Sequence, residues 1–192
     1  MKARENPFAS HLLERLAFRF PAQLNWASFL ARLEEQGYCG SIVGRRGSGK
    51  TLLLEQLAPR LKEKGFEPVF FRLSSESSMR DKEGLTGALR QVVAPGFILL
   101  DGAEQFSTRL WLPVRAAASQ AAGFVVTVHR VSRLPTLIEC ETSAALLQDL
   151  VRELAGAELP AEEAALLALR HHGCMRDCLR ELHERWAGGE ES

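Results

Sequence analysis

Apolar positions along this chain alternate between helical spacing and short strand-like runs. Residues 11–20 and 25–36 both carry helical spacing, the second around Trp26, Phe29, Leu30 and Leu33, with Pro21 between them. Ser41-Ile42-Val43 reads as a buried strand, and the apolar spacing that starts at Thr51 predicts a helix to about Lys64, stopped by Gly65. Pro68-Val69-Phe70-Phe71-Arg72-Leu73 predicts a second strand. The polar stretch 74–82 predicts a mobile loop, and residues 85–93 a helix ended by the breakers Ala94-Pro95-Gly96.

Phe97-Ile98-Leu99-Leu100-Asp101 is apolar until its last residue, the form of a buried parallel strand that delivers a carboxylate to its C-terminal edge. An Ala- and Leu-rich helix to about Ala122 follows, then strands at 124–129 and 136–140. From Ser143 onward the pattern is helical, at 143–155, 161–172 and 175–186, broken by residues 156–160 and by Gly173. Strands alternating with helices imply an α/β protein with a parallel sheet covered on both faces, and three successive helices imply a separate small layer. The expected division is a helical segment at 1–38, an α/β core at 39–142 and a helical lid at 143–192.

The connection after the first strand carries the chemistry. Gly44-Arg45-Arg46-Gly47-Ser48-Gly49-Lys50-Thr51 matches the phosphate-binding pattern G-x-x-x-x-G-K-[ST], with Leu52 next in line. Glycines let the backbone curl so that successive N–H groups face an anion, and the following helix offers its positive end. Lys50 is expected to reach the β- and γ-phosphates, and the Thr51 hydroxyl to hold Mg²⁺ opposite Asp101. The strand before the loop and the helix after it supply the context that the motif requires.

Composition narrows the partners. Lys+Arg and Asp+Glu number 24 each in 192 residues, so no global basic field advertises nucleic-acid binding, although local patches are compatible with it. The 46% hydrophobic content suits one good core. No apolar run is long enough to span a bilayer, and the first residues lack a signal-peptide core, so a cytoplasmic location is expected. The four cysteines are too scattered for a disulfide framework; Cys174 and Cys178, with His171 and His172 upstream, lie on one short stretch and read as core thiols rather than zinc ligands. Asn occurs only at positions 6 and 25, which leaves no Asn-Lys-x-Asp guanine motif and favours ATP over GTP.

With the Lys50-Thr51 loop and the Asp101 strand in place, the order of parts resembles the AAA+ and STAND branches of the P-loop NTPases, and among them compact bacterial ATP-binding proteins of the TniB and ExeA type. The resemblance covers nearly the whole chain. It implies a five-stranded parallel sheet of order 5-1-4-3-2, ATP and Mg²⁺ as cofactors, a γ-phosphate sensor at His129 or Arg130, and a second sensor at Arg176 in Gly173-Cys174-Met175-Arg176, where an ordinary surface arginine is the competing reading. Asp101-Gly102-Ala103-Glu104 departs from the Asp-Glu pair of typical AAA+ members and is closer to the Asp-Gly-x-acid form of STAND switches. Glu104 is then the candidate to orient the attacking water, or else a cap on the next helix. Asn6-Pro7-Phe8 is either an adenine-side contact or a helix-leading turn. No arginine finger is assigned among Arg109, Arg115 and Arg133.

The expected function is an Mg-dependent ATPase acting as a molecular switch on a separate protein partner, with a homo-oligomer compatible but not required. The alternatives are a non-hydrolysing nucleotide-binding adaptor of the transposition or defence accessory type, and a small-molecule kinase.

Overall fold

A computed structural model describes residues 6–13, 16–21, 23–131 and 134–188. Its contacts divide the chain into two compact units. One comprises Phe20–Gly44 and Lys50–Cys140; the other comprises Met1–Arg19, Arg45–Gly49 and Glu141–Ser192.

The larger unit is built on five parallel strands, β1 (Cys39–Gly44), β2 (Glu67–Arg72), β3 (Gly96–Asp101), β4 (Gly123–Val128) and β5 (Thr136–Cys140), in the order β2-β3-β4-β1-β5. Read from the other edge this is 5-1-4-3-2, the order the resemblance implies. Buried parallel strands read as continuous apolar runs because both faces are covered, and here Ile98, Leu100, Phe124, Val126 and Val128 face one way with the neighbouring Phe97, Leu99 and Val125 buried on the other. The first face packs against Leu89 of helix α4 (Met79–Leu89) and Trp111, Val114 and Ala117 of helix α5 (Thr108–Ala117). Helix α3 (Lys50–Glu63) runs across β1 to β4 and buries Leu53, Leu54, Leu57 and Leu61 completely or nearly so. Helix α2 (Trp26–Glu35) leans on β5, its start fixed by a capping box in which Asn25 and Ser28 satisfy each other's backbone N–H. Arg60 of α3 lies over the Trp26 ring, 3.7 Å from its centre.

The smaller unit contains the short helix α1 (Ser10–Leu13), the loop 45–49, and helices α6 (Ala144–Ala155), α7 (Ala161–Arg170) and α8 (Met175–Ala187). Glu181 of α8 joins α7 to α8 by pairing with Arg170, His171 and Arg185, and Arg185 reaches Glu163 at 2.7 Å. Asn6 forms a turn with Phe8 and donates to the carbonyl of His183 at 2.9 Å, while the Phe8 and Trp186 rings meet edge to face.

Two local expectations need correction. The helix expected over residues 11–20 is confined to Ser10–Leu13, since the described residues 16–20 form no helix; residues 14–15 lie outside the described set. The polar stretch expected to be a loop contains the start of α4: Ser78 caps the helix and Asp81 returns the bond to the Ser78 backbone at 2.7 Å. The expected helix at 85–93 therefore starts and ends earlier, at Met79–Leu89; its start was hidden because Ser78, Arg80, Asp81 and Lys82 are polar and only Thr86 and Leu89 are buried.

Candidate functional site

A parallel sheet collects the ends of its strands at one edge, where α/β proteins bind ligands. Here that edge carries Gly44 at the end of β1, Arg72 at the end of β2, Asp101 at the end of β3, and His129 just beyond β4. Thr51, in the first turn of α3, donates its hydroxyl to Asp101 Oδ2 at 2.9 Å. The two residues expected to hold a cation, fifty positions apart in sequence, therefore touch.

The other Asp101 oxygen is fixed from the opposite side. Thr127 Oγ1 donates to Asp101 Oδ1 at 2.6 Å and accepts the Gly102 N–H at 2.9 Å. Thr127 is only 1% exposed, so this small network replaces the water that a buried carboxylate would otherwise need. In the sequence Thr127 is the lesser claimant to the sensor position beside His129 and Arg130, because its strand buries it; burial is what lets it orient Asp101. Its signal is a lone hydroxyl in the run Phe124-Val125-Val126-Thr127-Val128. Arg72 is a second residue that sequence reasoning misses. Its Nε lies 3.3 Å from Asp101 Oδ2, and its Nη2 lies 3.0 Å from Glu55 Oε1.

Lys50 is 7% exposed, and its ammonium donates to the Gly44 carbonyl at 2.7 Å. Burial pushes the nearby Cys140 thiol up to about 12, with the Lys50 charge opposing, so this cysteine stays neutral. In the smaller unit, Gly47 and Gly49 adopt φ of +73° and +86°. Gly47 is required there: a Cβ would stand 2.3 Å from Cys174 Sγ, in a conformation that L-residues avoid. Asp177 is held below the usual aspartate range by a hydrogen bond from the Cys174 thiol, opposed by burial and assisted by the charges of Arg180 and Arg46. Arg45, Arg46 and Arg176 are exposed.

The donor set suits a phosphate chain with a hard cation. Ser48 Oγ is buried with no hydrogen-bond partner among the described residues, a polar atom in the phosphate loop that asks for one. The oxygens of Thr51 and Asp101 are the ligands Mg²⁺ prefers, and the fourteen-residue helix α3 begins at Lys50.

Glu104 sits in a single 3-10 turn, Ala103–Gln105, between β3 and α5. The N-cap of α5 is Ser107, so Glu104 lies outside that helix. Its side chain is 24% exposed, and Oε1 is 3.3 Å from His129 Nε2. A half-open cavity of about 510 Å³ opens beside this pair, walled by Phe106, Trp111, Val128 and Val131, with exposed Arg130 on its lining. Arg109 and Arg115 are exposed along α5, whereas Arg133 lies outside the described residues.

The sheet order and the loop from β1 into α3 define a P-loop NTPase fold. Among solved structures, a point variant of RuvB from Thermotoga maritima shares this fold with a TM-score of 0.52 and 15% sequence identity, over 81% of this chain and 57% of that one. An S. cerevisiae Hsp104 in complex with casein, in an extended conformation, aligns with a TM-score of 0.48 and 15% identity, over 84% of this chain and 36% of that one. The chain thus spans little more than half of the RuvB chain and about a third of the Hsp104 chain. No family model matches the sequence, and no curated protein matches it. No helix among the described residues is long and apolar enough to cross a membrane.

Proposed function

We propose that this protein binds ATP with Mg²⁺ and hydrolyses it, acting as a molecular switch on a separate protein partner. The observation that carries this reading is the Thr51–Asp101 contact of 2.9 Å beside buried Lys50, at the strand edge where the Gly44–Thr51 motif begins. Gly44, Arg45, Arg46, Gly47, Ser48, Gly49, Lys50, Thr51 and Leu52 surround the phosphates in this reading, and Thr51 with Asp101 holds the cation. When bound, Mg²⁺ neutralises charge on the β- and γ-phosphate oxygens. Lys50 adds a fixed positive charge to the same oxygens, Thr127 keeps Asp101 in one orientation, and Glu104 orients a water. His129, Arg130 and Arg176 respond to the γ-phosphate.

A second reading is supported by the engagement of Glu104 with His129 at 3.3 Å. A carboxylate held by a neighbouring imidazole is not free to orient water, as expected of a nucleotide-binding adaptor that turns over only when a partner releases it. Both readings require ATP binding. Isothermal titration of the protein with a non-hydrolysable ATP analogue and Mg²⁺ is expected to show one site, weakened at least tenfold, or about 1.4 kcal/mol, by Lys50→Ala. Absence of binding to the wild-type protein contradicts both.

A further inference from the structure

Resting on the nucleotide-binding reading above, we propose that Arg72 is a positioning residue that competes with the divalent cation for the Asp101 carboxylate and transfers to Glu55 when the cation binds. The order of residues at the sheet edge leads to this. Arg72 closes β2 directly opposite Asp101 in the parallel register, so its side chain begins beside that carboxylate. Its guanidinium bridges two acids, with Nε 3.3 Å from Asp101 Oδ2 and Nη2 3.0 Å from Glu55 Oε1.

The two Asp101 oxygens have different tasks. Oδ1 is committed to the buried Thr127 hydroxyl at 2.6 Å. Oδ2 is the oxygen that meets Thr51, the other cation-holding residue, and it is also the one facing Arg72. A cation held between Thr51 and Oδ2 therefore sets like charges against each other at a carboxylate whose side chain is only 16% exposed. Arg72 has room to yield, because its side chain is 62% exposed and approaches from the solvent side. Glu55 stands one helical turn after Thr51 on the same face of α3, so it offers the guanidinium a second carboxylate without leaving the site. The planar fork of arginine can hold both acids at once and release one, which a single ammonium charge cannot match.

Removing either partner has opposite consequences. Without Arg72, no competing positive charge faces Asp101 Oδ2 and the cation gains; without the Glu55 charge, Arg72 leans on Asp101 alone and the cation loses. A residue that merely fastens β2 to α3 gives no such opposition.

The test uses the full chain and a fluorescent ATP analogue, and reads the ratio of its affinity in excess Mg²⁺ to its affinity in chelator. Arg72→Gln is expected to raise this ratio by about threefold and Glu55→Gln to lower it by about threefold, modest factors because the pair is largely exposed and screened. In Arg72→Gln/Glu55→Gln the Glu55 effect is expected to vanish, since it acts through Arg72. Glu55→Gln is isosteric and Arg72→Gln leaves a shorter polar side chain at an exposed position, and melting curves without nucleotide verify folding. Shifts of the same sign, no shift in either variant, or a Glu55 effect that survives in the double variant overturns the competition. A wild-type protein that fails to bind the analogue under both conditions instead overturns the nucleotide reading.

Discussion

Gly102 explains why the acid after the third strand stands at position 104 and not at 102. Its φ is +85°, and a Cβ built there would lie 2.2 Å from the Leu73 carbonyl oxygen, so no side chain fits between the ends of β2 and β3. The Leu73 N–H donates to the Asp101 carbonyl at 2.9 Å, which fixes this close approach. An Asp-Glu pair is thus sterically excluded, and the next acid along, Glu104, is displaced onto the 3-10 turn. Gly102→Glu, which restores the Asp-Glu sequence, is expected to destabilise the protein by about 2 kcal/mol or more through strain and overpacking. Thermal melting checks the loss, and a phosphate-release assay is expected to show no gain in turnover. The sequence exposed the Asp-Gly departure and the Gly44–Thr51 loop, because both are local motifs. It did not expose Arg72 or Thr127, whose roles exist only once parallel pairing sets β2 and β4 on either side of β3.

At the scale of elements, the strands were legible because each is built round a short apolar run bounded by breakers, and in β3 and β4 burial on both faces demands that composition. The helices were legible where their buried face is wide. α6 shows this: Leu147, Leu150 and Val151 form a clear stripe, and Ser143 caps the first turn. The start of α4 was not legible, because Ser78 and Asp81 stabilise it by capping and not by apolar spacing. The helix expected through residue 20 failed for the opposite reason, as Leu16 and Phe18 are buried from a segment without regular secondary structure, so their apolar character marks tertiary burial and not helical period. Among the helices, α3 carries Thr51, the residue proposed to hold the cation, at its start and is anchored by its fully buried middle. Leu57→Ala is expected to cost about 2–5 kcal/mol, a cavity cost at a site with no exposed surface. Denaturant unfolding with an unchanged slope measures it; a cost below about 1 kcal/mol contradicts the packing described here.

For the molecule as a whole, the strand order is what turns scattered residues into one site. With β3 and β1 separated only by β4, the end of β1, the Asp101 carboxylate and the His129 imidazole share one edge, and Arg72 joins them from β2. The order followed from resemblance to a family of P-loop proteins, since the spacing of apolar runs fixes the number of strands but not their arrangement. The equal numbers of acidic and basic residues leave the protein with no formal net charge at neutral pH, so the effects proposed for Lys50 and Arg72 are short-range ones on specific groups.

The most direct measurement is steady-state phosphate release from ATP in Mg²⁺ for the wild type, Lys50→Ala and Glu104→Gln, with nucleotide binding followed in parallel. The account predicts turnover by the wild type, loss of binding and turnover in Lys50→Ala, and retained binding with turnover reduced by about 10²-fold or more in Glu104→Gln. Undiminished phosphate release by Glu104→Gln contradicts the water-orienting role, and wild-type release that persists in Lys50→Ala contradicts the site itself.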